Sequence, residues 1–294
     1  MIKRVIEISG TASLTLKNKQ LVVERDGFEI ETVPVEDIGV LILDNREITA
    51  SQALLSACFE ANAAVIVCDH RHMPSAVFMP LEGNSLHSKT LAGQISADEP
   101  SKKRLWQNII SAKVRAQAKT LALTGIDAGH LLALSKNVRS GDPENVEAQA
   151  ARHYWQKFFG PDFKRDADAP GINALLNYGY AIMRAAVARS VVGTGLHPAL
   201  GIHHRNQYNA FALADDMMEP FRPSVDSVVR GLTNGISSTP ELTHPVKREI
   251  IKTLGMECVM GGRKMPLIPA LNLYAASVRK TLLGESRDAE IPEA

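Results

Sequence analysis

The spacing of apolar residues in this 294-residue chain changes once, between residues 83 and 101, and that change limits the possible folds more than any other feature. In front of it lie short β-rich runs: Val5–Ile8, Ser13–Leu16, Gln20–Glu24 and Phe28–Val33. They are separated by Gly10, by Lys17-Asn18-Lys19 and by Asp26-Gly27, and Asp26-Gly27 between two alternating runs predicts a hairpin. Gly39–Leu43 and Ala64–Cys68 read as buried strands, with a helix from Ser51 to Asn62 between them, capped by Thr49. The front is expected to be an antiparallel, sandwich-like β domain with at least one helix. Residues 84–100 are polar and aperiodic and read as a linker.

Behind the change the period becomes 3.6. Leu105, Trp106, Ile109, Ile110, Val114 and Leu121 form one stripe. Asp142 as N-cap and Pro143 at the first helical position open a helix that runs to Phe159. A long helix follows from Ile172 to Val192, closed by Gly193-Thr194-Gly195, then a loop from Leu196 to Asn206. The next helix begins near Asn209 and breaks around Pro220 and Pro223. Helices near 224–234, 243–258 and 269–283 and a frayed tail from Gly284 complete the expectation. The fold class is therefore α+β: a small β-rich domain over 1–83, a linker over 84–100, and a larger all-α domain over 101–294.

With 45% hydrophobic and 22% charged residues, the chain can bury a core without disulfides. Cys58, Cys68 and Cys258 form no C-x-x-C pair, and no leader-like apolar stretch opens the sequence. The longest apolar region, 53–68, is interrupted by Glu60 and Asn62, so no membrane span is expected. These features point to a reducing, cytoplasmic setting. The net charge of +1 hides a net of −6 over residues 1–99 and +7 over 100–294. A basic back half suits a polyanion, although part of it can also face the acidic front. Lys102, Lys103, Arg104, Lys113, Arg115 and Lys119 share one helical stretch without an acid among them, which suits a phosphate backbone or a solvated face.

Three groups carry candidate chemistry. Glu147 lies one turn into its helix among small residues. His203-His204 follows Gly201 in a loop. Asp215, Asp216 and Glu219 lie on the next helix, with Asp216 and Glu219 on one face. One imidazole with carboxylates suits Mg²⁺ or Mn²⁺, whereas the soft ligand set of zinc is lacking. Cys68-Asp69-His70-Arg71-His72 lacks a further soft ligand and reads as a loop. Tyr154, Trp155 and Phe158 stand at core spacing. Arg152 is placed either for a phosphate or for an acid, and Gly261-Gly262-Arg263-Lys264 forms a short basic turn.

The segment Glu147-Ala-Gln-Ala-Ala-Arg152-His-Tyr154-Trp155 resembles the E-x-x-A-A-R-x-Y-[FW] stretch of the CRISPR-associated spacer-acquisition integrases. Leu196-His-Pro-Ala-Leu-Gly201-Ile-His-His204 resembles that family's G-L-x-P-x-L-G-[IL]-x-H loop. Ala214-Asp-Asp216-Met-Met-Glu219-Pro-Phe-Arg222-Pro223 resembles its D-L-M-E-x-F-R-P box. The resemblance spans nearly the whole chain and is greatest to the form found with type II CRISPR systems.

It implies Glu147, His204 and Glu219 as catalytic metal ligands for Mg²⁺ or Mn²⁺, with Asp216 behind them and His203 as a neighbour. It also implies a metal-dependent integrase and endonuclease, in which a 3′-hydroxyl of short duplex DNA attacks a phosphodiester at a repeat end. Implied partners are double-stranded DNA (protospacer and CRISPR repeat), a second copy of the chain through the β domain, a small ferredoxin-like protein and type II effector components. Lys102, Lys103, Lys113, Arg115, Arg152, Arg222, Arg263 and Lys264 are the candidate DNA contacts. Two other readings stay open: a stand-alone nuclease on branched DNA, and a non-catalytic DNA-binding scaffold.

Overall fold

The computed structural model describes residues 3–80, 83–233 and 240–293. Its N-terminal part holds strands β1 (Arg4–Ile8), β2 (Ser13–Lys17), β3 (Gln20–Glu24), β4 (Glu31–Pro34), β5 (Ile38–Leu43) and β6 (Thr49–Ala50). Helix α1 (Gln52–Glu60) and strands β7 (Ala64–Cys68) and β8 (Pro74–Phe78) follow. Two four-stranded sheets form, ordered β4-β3-β2-β6 and β1-β5-β7-β8. The expected all-antiparallel domain is thus corrected: β1, β5 and β7 run parallel, and only β8 reverses. The physical reason lies in burial on both faces. Leu41 and Val65 pack toward the first sheet and α1, while Val40, Ile42 and Ile66 pack on the helical part. Continuous apolar runs joined by a crossover helix form parallel strands. Burying each of those side chains contributes about 1.5–3 kcal/mol at most.

The tight hairpin falls at Asn18-Lys19 and not at Asp26-Gly27. Lys17 pairs with Gln20, and both loop residues take positive φ (50° and 60°), as a type I′ turn demands. The β3–β4 pairing begins only at Glu31, so Gly27 sits in a longer loop. Helix α1 takes its cap from Ser51, whose hydroxyl accepts the Leu54 amide, and not from Thr49.

Residues 84–100 are not an extended linker. They carry α2 (His87–Ser96) and the start of α3 (Glu99–Leu123). The α2 sequence lacks an apolar stripe because the helix docks through polar groups. The Gln94 amide nitrogen donates to the carbonyls of His197 and Leu200, and its oxygen accepts the His197 amide.

Beyond α3 come α4 (Gly129–Lys136), α5 (Val146–Phe159), α6 (Ile172–Gly193), α7 (Ala212–Met218), a 3-10 turn over Glu219–Phe221, and α8 (Arg222–Thr233). The last residue of the expected 224–234 helix lies outside the described residues. Helix α9 (His244–Ile251) stops short of the expected 258. A 3-10 turn and a hairpin, β9 (Glu257–Met260) with β10 (Arg263–Pro266), replace its end before α10 (Leu267–Leu282). The left-handed Gly261 and Gly262 (φ 59° and 72°) make the hairpin turn. The tail is not frayed: Glu293 pairs with Val259, and Asp288 accepts from Asn108 on α3. No described helix is long and apolar enough to cross a membrane.

Candidate metal centre and nucleic-acid face

Each candidate ligand is fixed by a local device. Glu147 lies in the first turn of α5, whose N-cap is Asn145 in the left-handed region, not Asp142. Asp142 instead stands before the helix and receives the amides of Val146 (2.8 Å) and Glu147 (3.0 Å) on its two carboxylate oxygens. An acidic cap at a helix start satisfies donors the helix cannot. The cost is a positive φ (51°) at Asp142.

His204 sits in the loop before α7, and Asp216 at the centre of α7 holds that loop. Asp216 is fully buried. Its Oδ2 accepts the amides of Ile202 (2.6 Å) and His203 (2.9 Å), and its Oδ1 lies 2.5 Å from His204 Nδ1. This bond to Asp216 raises the His204 pKa against the opposing effect of burial. Nε2 is the ring nitrogen that remains. Trp106 on α3 stacks flat on His203, with ring centroids 4.2 Å apart, and meets His204 edge-on. Asp215 points elsewhere, to Arg184 and Asn209.

Glu219 starts the 3-10 turn after α7 and is buried. Arg222 donates to its Oε1 at 2.9 Å, and Lys113 Nζ stands 2.5 Å from its Oε2. Lys113 Nζ also donates to Glu147 Oε1 at 2.6 Å. Burial alone would push the Glu219 carboxyl up, but Arg222 and Lys113 outweigh it and hold the group well below the usual carboxylate range. Below Arg222 lies the Tyr180 ring, 4.6 Å from the guanidinium, and the Tyr180 and Tyr154 hydroxyls both donate to buried Asp226.

The structure therefore brings Glu147 and Glu219 onto one cation, with His204 nearby and oriented by Asp216. Among the described residues, no three His, Cys, Asp or Glu side chains stand close enough to share a metal ion as they lie. The chemistry of the donor set nevertheless fits a hard divalent ion. Two carboxylates already face a single positive charge. Glu219 Oε2 is buried and has no hydrogen-bond donor in good geometry, only the Lys113 ion pair. The imidazole is backed by a carboxylate, as metal-binding histidines are.

The candidate DNA contacts divide. Lys103, Arg115, Arg152, Arg263 and Lys264 are exposed. Lys102 lines a pocket of about 380 Å³ beside His204, with Arg205 and Asn206, and pairs with Glu99. Lys113 and Arg222 both pair with Glu219, Lys113 from a buried position and Arg222 from a partly exposed one. The Cys68–His72 loop is structural. Asp69 accepts the amides of Arg71 and Met73, and His72 bonds Asp44. Tyr154 and Phe158 are core residues. Sequence reasoning missed Lys113 as the carboxylate partner and Trp106 as the platform under His203. It also missed Asp226, whose only signal was an acid on the apolar side of α8.

The family model described as "CRISPR associated protein Cas1" matches residues 7–247. The chain belongs to the Cas1 family. The CRISPR-associated endonuclease Cas1 of Neisseria meningitidis serogroup C (strain 8013) is 38% identical over 296 aligned residues, which cover 100% of this chain and 97% of that protein. Among solved structures, a casposase bound to integration product superposes with a TM-score of 0.76 at 21% identity, over 97% of this chain and 92% of that one. A Cas6-RT-Cas1–Cas2 complex aligns with a TM-score of 0.73 at 18% identity, over 97% of this chain and 35% of the larger one. These likenesses extend through both the β part and the helical Cas1 part.

Proposed function

We propose that this Cas1 chain is a metal-dependent DNA endonuclease and integrase of CRISPR adaptation. In this reading a 3′-hydroxyl of a short duplex attacks a phosphodiester at a repeat end. One phosphodiester is exchanged for another, so no nucleotide is consumed. The observation that carries the reading is the pair Glu147 and Glu219 meeting on one positive charge beside His204, which Asp216 orients. The Neisseria relative named an endonuclease and the casposase solved with its integration product support it.

Glu147, His204 and Glu219 would hold Mg²⁺ or Mn²⁺, which would polarise the scissile phosphate and stabilise the leaving 3′-oxygen. Asp216 keeps the His204 Nδ1 side occupied, so that Nε2 is presented. Arg222 fixes Glu219 from the opposite side and shares its negative charge. Lys102 and Arg205 line the pocket beside His204 and supply positive charge for a strand end. Exposed Arg115, Arg152, Arg263 and Lys264 track the backbone. Assembly through the β part into a homodimer, and with a small Cas2-type partner in the cytoplasm, belongs to the same proposal. The Cas1–Cas2 architecture of the solved complex supports the partner.

The test is an integration assay with a 3′-hydroxyl duplex, a supercoiled repeat plasmid and Mg²⁺ or Mn²⁺, with and without the small partner. Metal-dependent joining that Glu147→Ala and His204→Ala abolish is the expected result. Cleavage without joining would favour the branched-DNA nuclease. DNA binding without chemistry would favour a scaffold.

A further inference from the structure

Lys113 occupies an unusual place for a lysine. It lies on α3 between buried neighbours, with Ile109, Ile110, Val114 and Gln117 around it, and is itself only 8% exposed. Its ammonium reaches Glu147 Oε1 at 2.6 Å and Glu219 Oε2 at 2.5 Å. Those carboxylates come from α5 and from the turn after α7, so three separate elements meet at one nitrogen. Without it, the buried Glu219 and the partly exposed Glu147 would face each other with no cation between them, and like charges so placed repel.

The charges at this point balance. Glu147 and Glu219 carry two negative charges, and Lys113 and Arg222 carry two positive ones. Arg222 is pinned between Glu219 and the Tyr180 ring. Lys113 carries its charge on a flexible four-carbon stem. A divalent ion added to this balanced set leaves an excess of two positive charges unless one resident cation withdraws, and Lys113, whose ammonium bears on both carboxylates, is the one an ion between them would displace.

We infer that Lys113 is a tethered stand-in cation: it holds Glu147 and Glu219 facing one another and gives way to the divalent ion, so that metal affinity is set by competition with it. This rests on the reading of Glu147, His204 and Glu219 as the metal site. Lys113 is thereby a positioning residue and not a phosphate contact. Its geometry also accounts for the separation of Glu147 and Glu219 as they lie. The carboxylates are spaced for an ammonium with its own hydrogen atoms, not for a bare ion.

The experiment is Mn²⁺ binding to the full-length protein, read as loss of the free-ion paramagnetic resonance signal. Thermal unfolding with and without Mn²⁺ runs alongside. Wild type is compared with Lys113→Met, Lys113→Gln, Lys113→Arg and Glu147→Gln. Removing the charge is expected to tighten Mn²⁺ binding by about tenfold, the lower end of what residues next to a metal site contribute. Lys113→Arg should stay near wild type. Lys113→Met should melt below wild type without metal and show the larger rise with it. A purely structural lysine would also lower stability without metal, but its loss would weaken Mn²⁺ binding instead of tightening it.

Lys113→Gln, which can still donate to both carboxylates, serves if the methionine variant does not fold without metal. Folded Lys113→Met and Lys113→Gln binding Mn²⁺ no tighter than wild type, while Glu147→Gln abolishes binding, would overturn this inference alone. No Mn²⁺ binding by wild type or by any variant would overturn the metal-site reading and this inference with it.

Discussion

Asp216 stands directly behind His204, with its Oδ1 2.5 Å from the imidazole Nδ1 and its Oδ2 on the backbone amides of Ile202 and His203. A single carboxylate thus fixes the ring and the loop that carries it. Asp216→Asn keeps the shape and loses the charge-assisted bond. We expect a 10–100-fold loss of Mn²⁺ affinity with a modest change in Tm, as for other residues that orient metal ligands. Titration by calorimetry checks this, and unchanged affinity would sink the orienting role.

At Gly201 the same loop lies close against α7. A Cβ there would meet the His204 carbonyl oxygen at 2.3 Å and Asp216 Oδ2 at 3.1 Å. Backbone cannot yield as a flexible side chain does, so Gly201→Ala must push the loop off Asp216. A stability loss of about 1–3 kcal/mol is expected, in the range of overpacked sites. Joining activity should fall with it. Denaturant unfolding and the integration assay measure the two separately.

Exposed arginines make a different prediction. Arg115 and Arg152 lie at the surface of α3 and α5, on the elements that carry Lys113 and Glu147. Replacing either by Ala should leave Tm unchanged and lower the slope of log affinity against log salt by about 1, as loss of one phosphate contact does. Fluorescence anisotropy with a short duplex, repeated across salt concentrations, would expose the idea as wrong if the slope held.

The buried pair Lys247 and Asp44 ties α9 to the β part, with Nζ 2.6 Å from Oδ2 and both side chains almost fully enclosed. Lys247→Met leaves the buried Asp44 without its ammonium partner, with His72 and the Cys68 thiol still beside it. Breaking such a pair from one side costs about 3–5 kcal/mol. The double variant with Asp44→Asn should recover most of the loss, because the stranded charge is then gone. Chemical denaturation of the four proteins completes the cycle.

The order of β part before helices and the stripe on α3 were legible because each depends on local spacing, whereas Glu147, His204 and Glu219 stood out through the three segments that resemble the integrase family. Parallel pairing of β1, β5 and β7 was not legible. An apolar run such as Ile38–Leu43 says that it is buried, but its direction depends on what α1 permits. Helix α2 escaped notice because Gln94 binds loop backbone instead of presenting an apolar face. The tail escaped because Glu293 pairs with a hairpin that was itself hidden in an expected helix. Lys113 looked like one more basic residue of α3. Only the fold shows that Glu147 and Glu219 arrive at its nitrogen.

Asp226 makes a prediction about pH. It is buried under the site, and burial pushes its carboxyl up to about 7 even though the Tyr180 and Tyr154 hydroxyls donate to it. The folded protein therefore holds this proton to higher pH than the unfolded chain does. Its contribution to stability is complete below the ordinary value near 3.8 and is lost as pH rises through about 7. Between pH 5 and 8 the loss from this group is about 2–3 kcal/mol. Asp226→Asn cannot ionise, so it should lose less stability than wild type across that interval and gain on it as pH rises. Melting curves for both proteins at pH 5, 6, 7 and 8 decide the matter. Parallel curves would mean that Asp226 is already ionised at pH 5, and that the two tyrosine hydroxyls, together with Arg222, offset its burial.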